Sequence, residues 1–304
     1  MNDKLTIKDI LGPMRPPFLL LPPVCVALGA SVAFWRSGEI NIWYALLALI
    51  GALAAHISVN AFNEFFDFKS GLDAITQKTP FSGGSGTLPA RPHAAKAAMI
   101  TAIVTLIITA AIGLFFFSIY GWEILPLGIA GLILIVLYTT WITRNWFLCL
   151  LAPGIGFGIL MVMGTDFVLT GSYSLAAGLA SLIPTFLVSN LLLLNQFPDV
   201  EADRQIGRRH LPIVAGRRAS SIVYIAFLVL TYLSLVLSVA FHHLPVLSLL
   251  GLATLLIAIP AGRGAYTSSE NIPQLLPHMG QNVLVNLLTP LITAIGIVLA
   301  TVLT

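Results

Sequence analysis

Long hydrophobic stretches alternate with short polar segments along most of the chain. Stretches of about 18 to 22 residues are long enough to cross a lipid bilayer. Because every backbone polar group inside a membrane needs an internal partner, we expect these stretches to form helices. The sequence predicts nine spans, at residues 17–35, 42–62, 98–117, 124–142, 147–168, 175–194, 220–241, 244–262 and 282–303.

The composition agrees with an integral membrane protein. Hydrophobic residues make up 58% of the chain and charged residues only 9%, which is far from the composition of soluble domains. The first hydrophobic stretch lacks a convincing cleavage site of small residues, so we interpret it as a span rather than a removed signal peptide. We therefore expect residues 1–304 to form a single all-α transmembrane domain, with no separate soluble domain.

The basic residues indicate the orientation of the chain. If the N-terminus is cytoplasmic, all of the 15 Lys and Arg residues except Arg36 lie on the cytoplasmic side of the nine spans. The positive-inside rule then predicts a multi-pass protein of the cell (inner or plasma) membrane, with its C-terminus on the opposite side. This asymmetry accounts for the net charge of +3, and we expect no nucleic-acid partner.

Two polar segments, 60–73 and 195–209, contain six of the 12 acidic residues. They follow the second and the sixth predicted spans, at the cytoplasmic ends. Four spans separate them, so both have the same orientation. This predicts two parallel four-helix units plus a ninth helix in a bundle around a central cavity. Carboxylates at a membrane boundary are costly to place, which makes both segments functional candidates.

Helical spacing would align the polar side chains of each segment on one face. The aligned residues are Asn60, Asn63 and Asp67 in the first segment and Asn195, Asp199 and Asp203 in the second. Glu64 lies beside Asn60, whereas Glu201 points away from the second set. Asp73 follows Gly71, which we expect to end the helix, so Asp73 can fold back toward the others.

Oxygen ligands without cysteine or clustered histidine favour a hard cation such as Mg²⁺. Since Mg²⁺ usually binds one or two carboxylates together with substrate phosphate, the acidic segments and nearby cations fit a metal-bridged diphosphate. The candidate diphosphate-binding residues are Lys69, Arg208, Arg209, and Arg144 with the nearby Tyr138; Lys78 and Arg91 are further candidates. The alternatives are a solvated cytoplasmic face and an ion or solute transporter, and the shared cytoplasmic position disfavours a transporter because transport sites lie near the midplane.

Three further features of the sequence each allow two interpretations. The Gly- and Ser-rich stretch 79–86 is either an anion-binding nest or a mobile loop that needs Gly for its turns. His56, one turn before Asn60, is either a hydrogen-bonded interior side chain or a group that handles protons. His210 either lines the site or only follows it in sequence.

The two acidic segments resemble the motifs of the UbiA superfamily of intramembrane prenyltransferases. The family's first motif, Asn-Asp-x-x-Asp followed by a further Asp, is matched by Asn63-Glu64-Phe-Phe-Asp67 and Asp73. The second, Asp-x-x-x-Asp followed by a basic residue, is matched by Asp199-Val-Glu-Ala-Asp203 and Arg208. The stretches are most similar to the MenA branch, whose members attach a polyprenyl chain to 1,4-dihydroxy-2-naphthoate in menaquinone synthesis. Departures from that branch are Glu64 for the usual Asp, Pro198 for Arg and His210 for Thr.

The resemblance implies a Mg²⁺-dependent transferase that moves a prenyl group from a polyprenyl diphosphate to an aromatic acceptor within the bilayer. The implied metal ligands are Asn63, Glu64, Asp67, Asn195, Asp199 and Asp203. The implied catalytic residues are Asp67, Asp73, Asp199 and Asp203. The base that removes the ring proton is left open among Asp73, Glu64 and His56. Another acceptor, or cyclisation of the isoprenoid without an acceptor, stays an alternative, and the sequence does not indicate an oligomeric state.

Overall fold

The computed structural model describes residues 5–303, and within this range the chain is helical and contains no β-strand. The fold class predicted from the sequence is therefore confirmed. The termini, whose membrane sides are predicted above, lie at residues 1–4 and 304, outside the described range. The α-helices are α1 Ile7–Met14, α2 Leu21–Ser37, α3 Ile42–Ser70, α4 Leu72–Ile75, α5 Thr87–Ala90, α6 Ala95–Tyr120, α7 Leu125–Leu137, α8 Trp146–Gly154, α9 Gly164–Thr170, α10 Leu175–Asn195, α11 Val200–Gln205, α12 Leu211–Ala240, α13 Leu255–Thr267 and α14 Ile272–Leu303.

Eight helical segments of the described chain are long and apolar enough to cross a membrane. They are Pro16–Ser37, Ile42–Ser70, Pro92–Glu123, Trp146–Thr170, Leu175–Asn195, Leu211–Ala240, Val246–Thr267 and Ile272–Leu303. Several of them join an α-helix to an adjacent 3-10 or π segment. The predicted count of nine is not confirmed, because the stretch 124–142 forms only the 13-residue helix α7. At 1.5 Å per residue, α7 is about 20 Å long.

Helix α10 lies at the centre of the bundle. In its most apolar window 72% of the residues are buried, against 17% in α3 and in the span that contains α6. The largest core cluster packs side chains of α10 such as Ile183 and Leu187 against Leu28 of α2, Leu235 of α12 and Ile297 of α14. Helices α3 and α6 pack on each other at the side of this core, and they leave space between themselves and α7.

Small residues allow the segment Trp146–Thr170 to approach α10 closely. A Cβ atom at Gly154 or Gly158 would overlap with Thr185 of α10, so larger residues would separate the two helices. Close contact through glycine is a common means of helix association in membranes. Between α8 and α9 the chain forms a π-helix over Ile155–Met163, a local widening that often occurs at functional sites.

Two helix ends place the acidic segments. Helix α3 continues two turns past the predicted apolar span, which ends at residue 62. It stops at Gly71, the residue predicted to end it, which has φ 81°, a conformation that costs glycine little. Helix α10 stops at Asn195, and residues 196–199 form a turn before α11. The predicted continuous helix from Asn195 to Asp203 is therefore wrong, because Pro198 has no N–H to donate and its ring clashes with a preceding turn.

Candidate active site

The two acidic segments face a single cavity of about 140 Å³ at the end of the bundle where α3 and α10 stop. Its polar lining from these segments consists of Asn60, Asn63, Asp67, Asp73, Asn195, Gln196, Asp199, Asp203, Arg208 and His210. Although the second set is not on one helix, the turn at 196–199 still points Asn195 and Asp199 to the same space as Asp203. Glu201 is exposed and pairs with Arg204, as expected from its spacing.

Asp73 folds back to the cavity through the turn at Gly71. Burial, followed by the negative charges of Glu64 and Asp67, raises the pKa of its carboxyl group to about 7. Its Oδ2 atom is enclosed and has no hydrogen-bond partner within residues 5–303. A carboxylate in this position is ready to accept a cation.

Asp199 and Asp203 have opposite electrostatic environments although they lie one helical turn apart. Burial, followed by the charge of Asp203, raises the pKa of Asp199 to about 7. For Asp203 burial acts in the same direction, but the hydrogen bond from His210 and the charge of Arg208 hold its pKa below the ordinary value. Asp203 is thus an ionised anchor, and Asp199 is a carboxyl group without a strong positive partner.

Arg208 joins the two acidic segments. Its guanidinium group donates to Oδ1 of Asp203 at 2.9 Å and forms an ion pair with Asp67, which lies 141 residues earlier in the chain. The second carboxylate oxygen of Asp203 is 2.9 Å from Nε2 of His210. Arg208 therefore fixes the separation of the segments. Of the two interpretations of His210, the structure supports the first, because His210 lines the cavity.

Glu64 is fully buried and does not itself line the cavity; its carboxylate contacts Arg15 and the loop 79–86. Its Oε1 atom accepts from Nε of Arg15 at 2.8 Å and from the backbone N of Ser85 at 2.6 Å. Its Oε2 atom accepts from Oγ of Ser85 at 2.8 Å. Arg15 also donates to Oδ1 of Asn63 at 3.2 Å. Two predicted ligands, Glu64 and Asn63, thus have an oxygen already engaged by Arg15.

The loop 79–86 covers the cavity. Phe81, Ser82, Gly83 and Gly84 line it, and the three glycines of the loop, Gly83, Gly84 and Gly86, all have positive φ. These conformations explain the glycine content that the sequence shows. The contacts of Ser85 with Glu64 tie the loop to α3, so the loop is a cover held in place by the first acidic segment.

Several predicted cations do not reach the cavity. Lys69 is exposed, and its ammonium group lies 5.8 Å from the ring centroid of Phe65. Two positions after Asp67, it is on a different face of α3, because only residues three or four apart are neighbours on a helix. Arg144 and Arg209 are also exposed and do not line the cavity. Tyr138 and Arg208 are the predicted diphosphate-binding residues that do.

Arg15 was missed as a site residue by sequence reasoning. It lines the cavity, and its backbone has φ 52°, an uncommon conformation for a residue other than glycine. In the sequence it only contributes to the count of cytoplasmic charges. The following Pro16-Pro17 pair signals a chain turn, but nothing in the sequence relates Arg15 to Glu64, which lies 49 positions later.

The donor set of the cavity fits Mg²⁺ that is shared with a phosphate ligand. Three enclosed oxygens lack a partner in the described chain: Oδ2 of Asp73, Oδ1 of Asn195 and Oδ1 of Asp199. Within residues 5–303 no group of three or more His, Cys, Asp or Glu side chains is arranged to hold a metal ion by itself. This agrees with the preference of Mg²⁺ for few protein ligands, several waters and substrate phosphate.

A second, larger cavity of about 550 Å³ adjoins the first. Its walls come mainly from α3, α6, α7 and the π segment, and most of its lining is apolar, with glycines such as Gly51, Gly128 and Gly156. Seven residues line both cavities: Arg15, His56, Asn60, Asn63, Tyr138, Phe157 and Leu192. A polar cavity therefore opens directly into a long apolar chamber.

The chain is thus a helical membrane bundle in which an acidic cavity adjoins an apolar chamber. Residues 20–279 match the model of the UbiA prenyltransferase family. The chain belongs to this family and is an enzyme that transfers prenyl groups, as the motif resemblance implies.

Two characterised relatives cover most of the chain. It is 27% identical over 221 residues to 1,4-dihydroxy-2-naphthoate octaprenyltransferase of Bacillus subtilis (strain 168), covering 72% of this chain and 70% of the relative. It is 23% identical over 261 residues to digeranylgeranylglyceryl phosphate synthase of Natronomonas pharaonis, covering 84% of each. The first relative is named for a naphthoate and an octaprenyl group, whereas the second is named for a glyceryl phosphate product.

Solved structures share the fold. An apo UbiA homologue from Aeropyrum pernix K1 superposes with a TM-score of 0.72 at 18% identity, over 94% of this chain and 98% of that chain. A UbiA homologue from Archaeoglobus fulgidus bound to DMAPP and Mg²⁺ gives a TM-score of 0.59 at 12% identity, over 95% and 99%. The all-helical architecture is therefore that of the family.

Proposed function

We propose that the protein transfers a polyprenyl group from a Mg²⁺-bound allylic diphosphate to an aromatic acceptor, with 1,4-dihydroxy-2-naphthoate as the first candidate. The observation that carries this proposal is the direct junction of the acidic cavity with the apolar chamber. The cavity suits a diphosphate, and the chamber suits an isoprenoid tail. The junction between them is where the reacting carbon would lie.

The residues divide into cation-binding and anion-binding groups. Asp73, Asn195 and Asp199 would hold Mg²⁺ through their unpartnered oxygens, with Asp67 as a further ligand. Both carboxylate oxygens of Asp203 already have hydrogen-bond partners, so we assign Asp203 the role of positioning Arg208 and His210. Bound Mg²⁺ would supply positive charge that stabilises the leaving diphosphate.

The chain's own groups would assist departure of the diphosphate and protect the cation. Arg208 and Arg15 line the cavity. Their positive charges are fixed near the position where negative charge would develop on the leaving diphosphate, and such preorganised charges stabilise a transition state. The loop 79–86 excludes water from the same space. The rings of Tyr138 and Phe157 flank the junction, and their π faces can stabilise an allylic cation.

Two observations support an aromatic acceptor. The relative from Bacillus subtilis is a 1,4-dihydroxy-2-naphthoate octaprenyltransferase, and the junction is bordered by the aromatic side chains of His56, Tyr138 and Phe157. The C–O bond to diphosphate would break first and leave the allylic cation. An electron-rich ring carbon would then attack this cation to form the C–C bond. The ring proton then leaves to a base.

We place the cavity at the cytoplasmic face of the cell membrane. The basis is the charge asymmetry of the sequence, since the loops at the cavity end contain Arg91, Arg144, Arg204 and Arg209, whereas Arg36 lies at the other end. Both substrates would then meet at the inner leaflet. Labelling single cysteines in these loops with a membrane-impermeant reagent tests the orientation.

The function is tested with purified protein in detergent. Geranyl and longer allylic diphosphates are combined with 1,4-dihydroxy-2-naphthoate, other hydroxylated aromatic acids or glyceryl phosphates, and products are identified by mass spectrometry. We expect a prenylated naphthoate and released diphosphate, both dependent on Mg²⁺. Transfer to glyceryl phosphates alone would overturn the aromatic acceptor, and cyclised hydrocarbon without acceptor would overturn transfer itself.

A further inference from the structure

His56 is a buried polar side chain at the junction of the two cavities. Only 6% of its surface is exposed, and it lines both the acidic cavity and the apolar chamber. Its Nδ1 atom is enclosed and has no hydrogen-bond partner among the described residues. Buried polar atoms are paired in the great majority of cases, so an exception beside a cavity indicates a ligand.

The imidazole ring has a fixed orientation. Phe157 of the π segment packs against it edge to face, with ring centroids 4.8 Å apart and an interplanar angle of 86°. Phe157 in turn packs on the buried residues Leu21, Val188 and Leu191. Phe157 therefore holds the histidine at the junction, where its Nδ1 atom has no partner within residues 5–303.

The position of His56 relative to the substrates identifies its ligand. With diphosphate in the acidic cavity and the tail in the chamber, the allylic carbon lies at the junction. The attacking atom must approach to about 3–3.5 Å for reaction, so the acceptor occupies the space beside His56. The tail offers no polar group, whereas the acceptor carries hydroxyl groups.

We infer that His56 binds the aromatic acceptor, with Nδ1 accepting a hydrogen bond from a ring hydroxyl group and so selecting hydroxylated acceptors. This assignment rests on the proposed function. The neutral imidazole then carries its hydrogen on Nε2. Phe157 holds the histidine and lies beside the same space, so an acceptor ring packs between fixed aromatic groups while one hydroxyl sets its register.

The test compares loss of the histidine nitrogen with loss of each acceptor hydroxyl. Wild type, His56→Phe and His56→Gln are assayed with geranyl diphosphate and 1,4-dihydroxy-2-naphthoate. The monohydroxy analogues 1-hydroxy-2-naphthoate and 4-hydroxy-2-naphthoate are measured as competitive inhibitors, since their inhibition constants do not depend on ring reactivity. His243→Phe, at the opposite end of the bundle, is the matched control.

We expect one analogue to bind wild type about tenfold more weakly than the other, the effect of one hydrogen bond. In His56→Phe the KM for the dihydroxy acceptor rises about tenfold and the two analogues bind equally, while the KM for geranyl diphosphate stays within about twofold. His56→Gln retains part of the discrimination. If His56→Phe does not purify as a folded protein, His56→Leu replaces it in the same comparison.

The outcomes separate the two levels of the proposal. Discrimination between the analogues that persists without the histidine, or a parallel rise in the KM for geranyl diphosphate, overturns the role of His56 alone. Wild-type protein that binds geranyl diphosphate with Mg²⁺ but prenylates no aromatic compound overturns the proposed function, and this inference with it.

Discussion

Ser85 donates two hydrogen bonds to the carboxylate of Glu64. The backbone N of Ser85 lies 2.6 Å from Oε1, and its Oγ lies 2.8 Å from Oε2. One end of this contact belongs to the first acidic motif, and the other belongs to the loop that covers the cavity. The motif thus has two roles in this chain: Asp67 and Asp73 face the cavity, and Glu64 closes it.

We expect the loss of the hydrogen bonds between Ser85 and Glu64 to let water into the cavity. In Glu64→Ala the loop 79–86 loses both bonds, so we expect more of the allylic diphosphate to be hydrolysed to prenyl alcohol, because exclusion of water protects reactive intermediates. Ser85→Ala keeps the backbone bond and should give a smaller increase. The ratio of prenyl alcohol to prenylated acceptor, read by chromatography, checks this order. An unchanged ratio in Glu64→Ala would show that the loop is not held by this residue.

The carboxylates that face the cavity should be required for turnover. We expect Asp67→Ala and Asp199→Ala each to lower kcat by about 10²-fold or more, comparable to the loss of one main electrostatic group in other active sites. Glu201→Ala, which removes an exposed carboxylate of the same motif, should retain nearly full activity. Steady-state kinetics and a thermal unfolding curve of each variant separate loss of function from loss of fold. Full activity of either Asp variant contradicts the site.

The affinity for Mg²⁺ should depend on pH near neutrality. Without metal the pKa values of Asp73 and Asp199 are raised to about 7, so both carboxyls are largely neutral below pH 7 and ionised above it. Since a cation competes with protons for these oxygens, the Mg²⁺ concentration for half-maximal activity should rise steeply between pH 7 and 6 and be flat above about pH 8. Asp199→Asn should flatten the slope, and an unchanged slope would exclude Asp199.

The same raised pKa values affect stability in the presence of chelator. Because the unfolded carboxyls ionise near 3.8, their neutral folded forms stabilise the protein fully below about pH 4. That contribution is lost as the pH rises through about 7. Unfolding temperatures in chelator should show this component, and Mg²⁺ should reduce it.

Arg208 and Arg209 are adjacent arginines, one in the cavity and one exposed, so substitutions at the two positions can be compared directly. Arg208→Ala leaves Asp67 and Asp203 buried without their cation, which typically costs about 3–5 kcal/mol, and should also abolish transfer. Arg208→Lys cannot bridge two carboxylates in the same geometry and should recover little. Arg209→Ala removes an exposed side chain and should behave as wild type in unfolding and in the KM for the diphosphate. Equal defects in both alanine variants would mean that Arg209 also contacts substrate.

The apolar chamber should limit the length of the donor. Gly128 lines the chamber, and a Cβ atom there meets no atom within 4 Å, so we expect the side chain of Gly128→Leu to occupy part of the chamber. We expect long polyprenyl diphosphates to be lost as substrates while geranyl diphosphate is still used. Gly178→Leu, also unobstructed but outside the chamber, is the control. Competition between donors of different length gives the comparison, and an unaltered length profile would place the tail elsewhere.

Much of the fold could be predicted from hydrophobic length alone, because a stretch of about 20 apolar residues has few alternatives in a membrane. The exception is α7, where the apolar stretch is long enough but the helix stops at Leu137. The end of α3 was predictable from Gly71, although the apolar span before it was placed only up to residue 62. The break before Asp199 was visible in the sequence as Pro198.

The acidic residues that line the cavity could be predicted as a group, because both polar segments follow apolar spans at the same end of the bundle. A common helical face accounts only for Asn60, Asn63 and Asp67, since the helix of the second set is interrupted at residues 196–199. The cations could not be predicted, since residue type does not say which way a side chain on a helix end or loop points. Lys69 and Arg209 are close in sequence to cavity residues and still face outward. Arg15 follows α1 and is far from both acidic segments in the sequence. A contact between such distant residues cannot be predicted from the local sequence.

The short helix α7 forms one wall of the apolar chamber and is about 20 Å long, whereas the hydrocarbon core of a bilayer is about 30 Å thick. We expect the bilayer beside this wall to thin to match α7, at a cost that grows with each ångström of mismatch. The thickness of the surrounding membrane should then affect the wall of the chamber. The acyl-chain length of the host lipids becomes a physical variable of the enzyme, alongside its substrates.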